Sequence, residues 1–137
     1  MCIRDRNSNK DIKEAAVFNE TGIIGQVINN KSFYEVMLLT DTKSSIPLTN
    51  SKENFYCNAF GSGVSGYITC SYNQLVWSDD HVLGEKFFSS GLGGIYPKGI
   101  EIGNLESIKI VDTSTTLLTI KLISNPLHSN LFGVIKL

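Results

Sequence analysis

The sequence predicts an all-β fold of closed barrels or a sandwich, and three observations carry the prediction. Apolar residues recur with a period of two far more often than with a helical period, β-branched residues crowd those alternating runs, and Gly, Asn, Asp, Ser and Pro separate them at short intervals. The clearest element covers residues 117–123. Leu118, Ile120 and Leu122 share one face of that strand while Leu117, Thr119, Lys121 and Ile123 take the other. Comparable β-prone runs cover Gly22 to Ile28, Phe33 to Thr40, Asn54 to Phe60, Gly66 to Tyr72, Lys86 to Ser89, Ile100 to Val111 and Leu131 to Leu137. Short strands with frequent turns and no sustained helical stretch confine any helix to a turn or two.

Composition narrows the classes of function. The 137 residues are 42% hydrophobic, enough to fill a core, so the chain does not read as disordered. A net charge of −1 with 18% charged residues gives no basic field to gather phosphates, and nucleic acid is not expected as a partner. Apolar runs such as Val36-Met37-Leu38-Leu39 fall far short of the roughly 20 residues a membrane helix needs. The opening Met1-Cys2-Ile3-Arg4-Asp5-Arg6 has charges but no apolar stretch behind them, so it does not form a secretory signal.

Gly61-Ser62-Gly63-Val64-Ser65-Gly66 imitates the dinucleotide fingerprint G-x-G-x-x-G and follows a strand-like run. A dinucleotide site needs a helix next, whose N-terminal amides face the pyrophosphate. Tyr67-Ile68-Thr69-Cys70-Ser71-Tyr72 is aromatic and β-branched instead, so the glycines are expected to make a hairpin loop. If that six-residue loop is symmetric, Phe60 faces Tyr67 and Cys57 lies directly opposite Cys70. Cross-strand Cα separations of about 4.5–5.5 Å permit a disulfide in an oxidising compartment. The alternative is a pair of free, half-buried thiols acting as small apolar residues. Three cysteines without a C-x-x-C pair, with only two histidines, do not make a zinc site, and no cofactor is expected.

Catalysis has little raw material. His81 beside Asp79-Asp80 and His128 after Pro126 both read as solvated loop residues. Ser89-Ser90-Gly91-Leu92-Gly93-Gly94 is the glycine-rich place nearest to a nucleophile loop, yet it lacks the elbow pattern and its strand-to-helix context. A protease-like enzyme would require His81 or His128 to reach both a serine and a carboxylate. A small-ligand-binding barrel would require a deep, largely apolar pocket.

Ser90-Gly91-Leu92-Gly93-Gly94-Ile95-Tyr96-Pro97-Lys98-Gly99, followed by Ile102-Gly103, resembles the signature of the MreC family of rod shape-determining proteins. Gly22-Ile23-Ile24-Gly25-Gln26-Val27 is similar to the family's early glycine-spaced strand, and Leu38-Leu39-Thr40-Asp41 with Ser45-Ile46-Pro47 to its next strand and turn. The likeness runs from about Glu14 to Leu137; residues 1–13 do not match and are expected to be a disordered N-terminus. Departures are mild: Leu83-Gly84-Glu85 stands where the family commonly has Val-Gly-Asp, Ser89 where it has Thr, and Glu101 where it often has Pro.

The resemblance implies two small β-barrels, similar in architecture to chymotrypsin-type proteases but without their catalytic residues. It also implies an N-terminally truncated fragment, lacking the family's membrane helix and coiled coil, whose first barrel is incomplete. The implied role is a non-enzymatic periplasmic scaffold of cell-wall elongation, tethered to the inner membrane through the missing helix. The implied partners are an MreD-like membrane protein, a penicillin-binding transpeptidase, the MreB cytoskeletal system and further copies of itself. Gly22, Gly25, Gly91, Gly93, Gly94, Gly99 and Gly103, with Pro97, are expected as structural turn residues. Docking anchors are expected among Phe55, Tyr56, Tyr67, Tyr72, Trp77, Phe87 and Phe88, about half of them being core.

Overall fold

The computed structural model describes residues 2–4, 14–30, 33–76, 81–128 and 131–135. Among these residues the chain forms strands only: β1 (Cys2–Arg4), β2 (Ala16–Asn19), β3 (Gly22–Asn30), β4 (Phe33–Leu38), β5 (Ser45–Asn50), β6 (Tyr56–Gly61), β7 (Tyr67–Asn73), β8 (Lys86–Ser89), β9 (Glu101–Ile110), β10 (Thr115–Leu122) and β11 (Gly133–Ile135). Six of them close an antiparallel barrel in the order β5-β6-β7-β10-β9-β8. The other five form an open sheet, β1-β4-β3-β2-β11.

All eight runs expected from alternation are strands, and three further strands escaped that reading. β1 corrects the expectation of disorder at residues 2–4, because Cys2, Ile3 and Arg4 pair with Glu35, Tyr34 and Phe33, while residues 5–13 lie outside the described residues. A three-residue strand has no period to read; the free edge of β4 creates it. β2 hides because Ala15, Ala16 and Val17 are all buried and show no polar alternation. β5 hides because it contains Pro47. The ring nitrogen faces the β8 side, where pairing starts only at Leu48, so no ladder hydrogen bond is lost, and the Pro47 carbonyl accepts from Ser90 N–H at 3.0 Å.

One core joins the two bodies. Ile46, Leu48, Ile68, Cys70, Phe87, Ile102, Leu118 and Ile120 fill the barrel, and the same cluster takes in Ala16 and Ile23 from the sheet. The far face of the sheet buries Ala15, Val17, Ile24, Val27 and Val36 beneath Phe132 and Val134. β3 is therefore covered on both faces, which explains the unbroken Ile23-Ile24 pair. Each such aliphatic side chain contributes about 1.5–3 kcal/mol on burial.

The hairpin of β6 and β7 is present where expected, with a strand and no helix after Gly66, but its register differs. Phe60 faces Thr69 and Ala59 faces Cys70, so Cys57 lies diagonal to Cys70 rather than opposite it. The shift is two residues and keeps every side chain on its face. Its cause is Gly61, which stays in β6 because Ser44 accepts its N–H and the backbone at Thr40–Asp41 lies where a Cβ would stand. The Ser62 hydroxyl then closes the loop by donating to the Tyr67 carbonyl at 2.6 Å.

The glycines divide into two kinds. Gly91, Gly93, Gly94 and Gly99 adopt φ between +72° and +85° in the β8–β9 connection, with Pro97 among them, and Gly22 opens β3 at +137°. Gly25 and Gly103 are not turn residues: each sits inside a strand beside a bulge, where a Cβ would stand 2.1 Å from Met37 O or 2.3 Å from Lys121 O. Close approach of a neighbouring backbone excludes a side chain there.

Candidate interaction surface

The β8–β9 connection is a tie between the two bodies. The buried Ser89 hydroxyl donates to the Pro97 carbonyl and accepts from Ile100 N–H at 3.0 Å, while Gly99 N–H donates to the Ser89 carbonyl at 2.8 Å. Its proton and one lone pair are thus committed to backbone, and the serine ties the two ends of the loop together. The loop delivers Tyr96, fully buried, toward the sheet, where its hydroxyl donates to Gln26 Oε1 at 3.3 Å. Burial holds the Tyr96 phenol above its ordinary range, with the neighbouring Ser44 hydroxyl opposing the shift. On the other side of the junction Asn19 donates to Asn125 O at 2.7 Å and Thr21 Oγ1 accepts from Asn125 N–H at 2.8 Å. Two bridges thus fix the sheet against the barrel.

His81 corrects a sequence expectation. Its side chain is 5% exposed rather than solvated, with Nδ1 2.9 Å from Glu85 Oε2. Phe55 and Tyr72 pack edge-on at ring distances of 4.4 and 5.3 Å, and Phe87 stands 6.3 Å away. Nε2 is buried, with no hydrogen-bond partner among the described residues. A carboxylate and an imidazole therefore meet, but among the described residues no serine hydroxyl reaches Nε2 to complete a triad. A polar cavity of about 210 Å³ opens beside them, lined by Asn50, Ser51, Lys52, Asn54, Phe55 and Glu85 as well as His81. His128 is exposed, 3.3 Å from Glu20, as a surface residue would be. Among the described residues no group of three or more His, Cys, Asp or Glu gathers for a metal ion, and no helix is long and apolar enough to cross a membrane.

The proposed aromatic anchors split. Phe55, Tyr72 and Phe87 are core, Tyr67 and Phe88 are half-buried, and Tyr56 is exposed, while Trp77 lies outside the described residues. The larger exposed apolar surface is aliphatic and was not foreseen. Leu75, Val76, Val82 and Leu83 line the β7–β8 connection, and Ile108, Ile110 and Val111 the end of β9. Gly84 and Glu85 bond to Leu105, and β8 pairs with β9 no further than Asn104. Beyond that point β9 continues with β10 alone, and every residue from Glu106 to Ile110 is exposed. Ile108 and Ile110 face the same side as buried Leu118 and Thr116, yet among the described residues no strand covers them. A second apolar region is a cleft of about 670 Å³ between barrel and sheet, lined by Ile24, Leu38, Leu122, Ile123, Pro126 and Leu127 among others.

With this geometry in place, comparison with known proteins is decisive about kinship. Residues 3–136 match the family of rod shape-determining protein MreC, barrel core. This chain belongs to the MreC family. The cell shape-determining protein MreC of Listeria monocytogenes is 30% identical over 113 residues, covering 77% of this chain and 37% of that protein. The chain therefore spans little more than a third of that relative. The crystal structure of MreC from Pseudomonas aeruginosa superposes with a TM-score of 0.75 at 21% identity, covering 97% of this chain and 92% of the other. The complex between penicillin-binding protein PBP2 and MreC from Helicobacter pylori contains a chain that superposes at 0.68 and 18% identity, over 88% of this chain and 76% of that one. In this MreC-family domain, the Ser90–Gly99 loop carries the Tyr96 that bonds to Gln26 of the sheet. The match begins at residue 3, which places β1 within the family's barrel core.

Proposed function

We propose that this domain is a non-enzymatic scaffold of bacterial cell-wall elongation and cell shape. In this reading it works on the periplasmic side of the inner membrane as part of a longer, membrane-anchored protein. It binds a penicillin-binding transpeptidase, and further contacts join it to an MreD-like membrane protein, the MreB system and other copies of itself. Family membership supports the role in cell shape, and the complex formed by the Helicobacter pylori relative supports the choice of transpeptidase.

The observation that carries the reading is where the apolar side chains go. The barrel interior is filled by Ile46, Leu48, Phe87, Ile102, Leu118 and Ile120, while the outer half of β9 leaves Ile108 and Ile110 exposed. A ligand-binding barrel would have its apolar lining inside. An unpaired strand end with apolar side chains is instead what a protein partner buries.

The test is a pull-down with the full-length parent from a bacterial envelope, repeated with Ile108→Asp/Ile110→Asp. Recovery of a wall-synthesis transpeptidase is expected, with retention falling about tenfold or more in the variant. Failure to recover any wall-synthesis or cytoskeletal partner refutes the scaffold role. Unchanged retention by the variant refutes the assignment to β9.

A further inference from the structure

We propose that Cys57 and Cys70 are an oxidative closure site that staples the barrel where its own ladder comes apart. The β6–β7 ladder holds only the pairs Ala59↔Cys70, Phe60↔Thr69 and Gly61↔Ile68. Beyond Ala59, residues 56–58 stay with β5 alone, and residues 71–73 stay with β10 alone. The barrel wall therefore has a seam. Phe55 and Tyr72 lie at it, ring edge to ring face at 5.0 Å, with His81 against both.

Cys57 stands two residues beyond Ala59, so it shares the inward face of Ala59 and Cys70 across the seam. The Cα atoms are 6.3 Å apart, within the span of a disulfide, and the two sulfur atoms meet. Burial sets the order of events. Cys70 is completely buried, whereas Cys57 is only half-buried and packs at the margin of the core. Cys57 is the thiol an oxidant can reach. Its thiolate attacks a sulfur of the oxidant's disulfide, forming a mixed disulfide and releasing one oxidant thiol. The Cys70 thiolate then attacks Cys57 Sγ, the Cys57–Cys70 bond forms, and the second oxidant thiol leaves. Two protons and two electrons pass from the pair to the oxidant, which is a protein dithiol oxidase or oxidised glutathione. The remaining cysteine, Cys2, is on edge strand β1 of the other body.

The oxidant in the cell rests on the periplasmic reading; the chemistry of the pair does not. The purified chain is therefore unfolded, refolded with oxidised glutathione, and compared with chain isolated from the envelope, each denatured without reductant and treated with a maleimide. Expected is a Cys57–Cys70 peptide, a mass lower by two hydrogen atoms, and labelling of Cys2 alone. Reductant should lower Tm by about 10 °C, from the closure entropy of so short a loop, and leave Cys57→Ser/Cys70→Ser unaffected. In a Cys2→Ser background, Cys70→Ser leaves a Cys57 that labels in the native state, whereas Cys57→Ser leaves a Cys70 that labels only after denaturation. Three labelled thiols after glutathione refolding, or a bond involving Cys2, overturn the inference; equal native labelling of the two single variants overturns the order of attack. A bond formed in the tube but two free thiols in envelope-derived chain supports the closure site and counts against the periplasmic reading instead.

Discussion

Replacing Gly103 by alanine separates the two reasons for glycine within one signature. A Cβ there would stand 2.3 Å from Lys121 O and 2.8 Å from Ile120 Cγ2, where ordinary contact begins at 3.4 Å, so a backbone atom is overlapped by about 1.1 Å. β10 cannot retreat, because Lys121 pairs with Asn104 on one side and with Tyr67 on the other. Ile120 is wholly buried and has no free volume to swing into. Over-packing a filled core costs about 1–3 kcal/mol. A clash against backbone held in two ladders belongs at the top of that range. The stiffer unfolded chain returns only about 0.4–1 kcal/mol. The net cost is about 2–3 kcal/mol, a fall in Tm of roughly 10 °C for a domain of this size. Gly93→Ala is the control: φ is +81° and no heavy atom lies within 4 Å of its Cβ, so only left-handed strain of about 1–2 kcal/mol applies. Gly93→Val, with its branched Cβ, should fall further. Thermal and urea unfolding followed by circular dichroism reads all three. Gly103→Ala melting within about 2 °C of the parent would refute the argument from close approach.

Tyr96→Phe removes the hydroxyl that reaches Gln26 and should cost about 1 kcal/mol at neutral pH. It should also remove an alkaline sensitivity: burial keeps the folded phenol protonated while the unfolded one ionises near 10, so the parent loses stability as pH rises above about 10, by up to ~1.4 kcal/mol per pH unit. Urea midpoints of the two chains that decline in parallel above that pH would contradict it. His81→Ala opens a cavity between Phe55 and Tyr72 and deprives Glu85 of its partner, a cost of about 2–4 kcal/mol in urea unfolding. A loss below about 0.5 kcal/mol would mean that the imidazole packs less closely than its 5% exposure implies.

What the sequence discloses follows the range of the interaction. β10 is legible because Leu118 and Ile120 alternate with Thr119 and Lys121 on a strand with one wet face. β2 is not, because its residues are covered from both sides by elements distant in the chain. The β6–β7 turn was legible as a turn from its glycines, but its register depends on Thr40–Asp41 and Ser44, which no local reading of residues 61–66 can see. His81 follows Ser78-Asp79-Asp80 and reads as solvated; Phe55 and Tyr72, from other strands, bury it. The opposite error attends β9. Ile108 and Ile110 alternate as core residues do, and they are exposed only because β8 runs out at Lys86↔Asn104. The signature glycines were legible as a class, yet only the neighbouring strands tell that Gly103 excludes a Cβ while Gly93 merely permits a turn.

Phe55, Tyr72, Phe87 and His81 pack together at the barrel seam, and Ile46, Leu48, Ile68, Leu118 and Ile120 fill the interior. A barrel so filled transmits strain as a rigid body. The tie through Tyr96 and Gln26, with the Asn19–Thr21–Asn125 bridge opposite it, extends that rigidity across both bodies. Rigid presentation lowers the entropic cost of docking a partner, since no loop must be ordered on contact. The outer half of β9 is held by β10 on one side with no paired strand on the other among the described residues, so Ile108 and Ile110 stay exposed although they lie on the face of buried Leu118 and Thr116. A partner strand there would meet a backbone already in place.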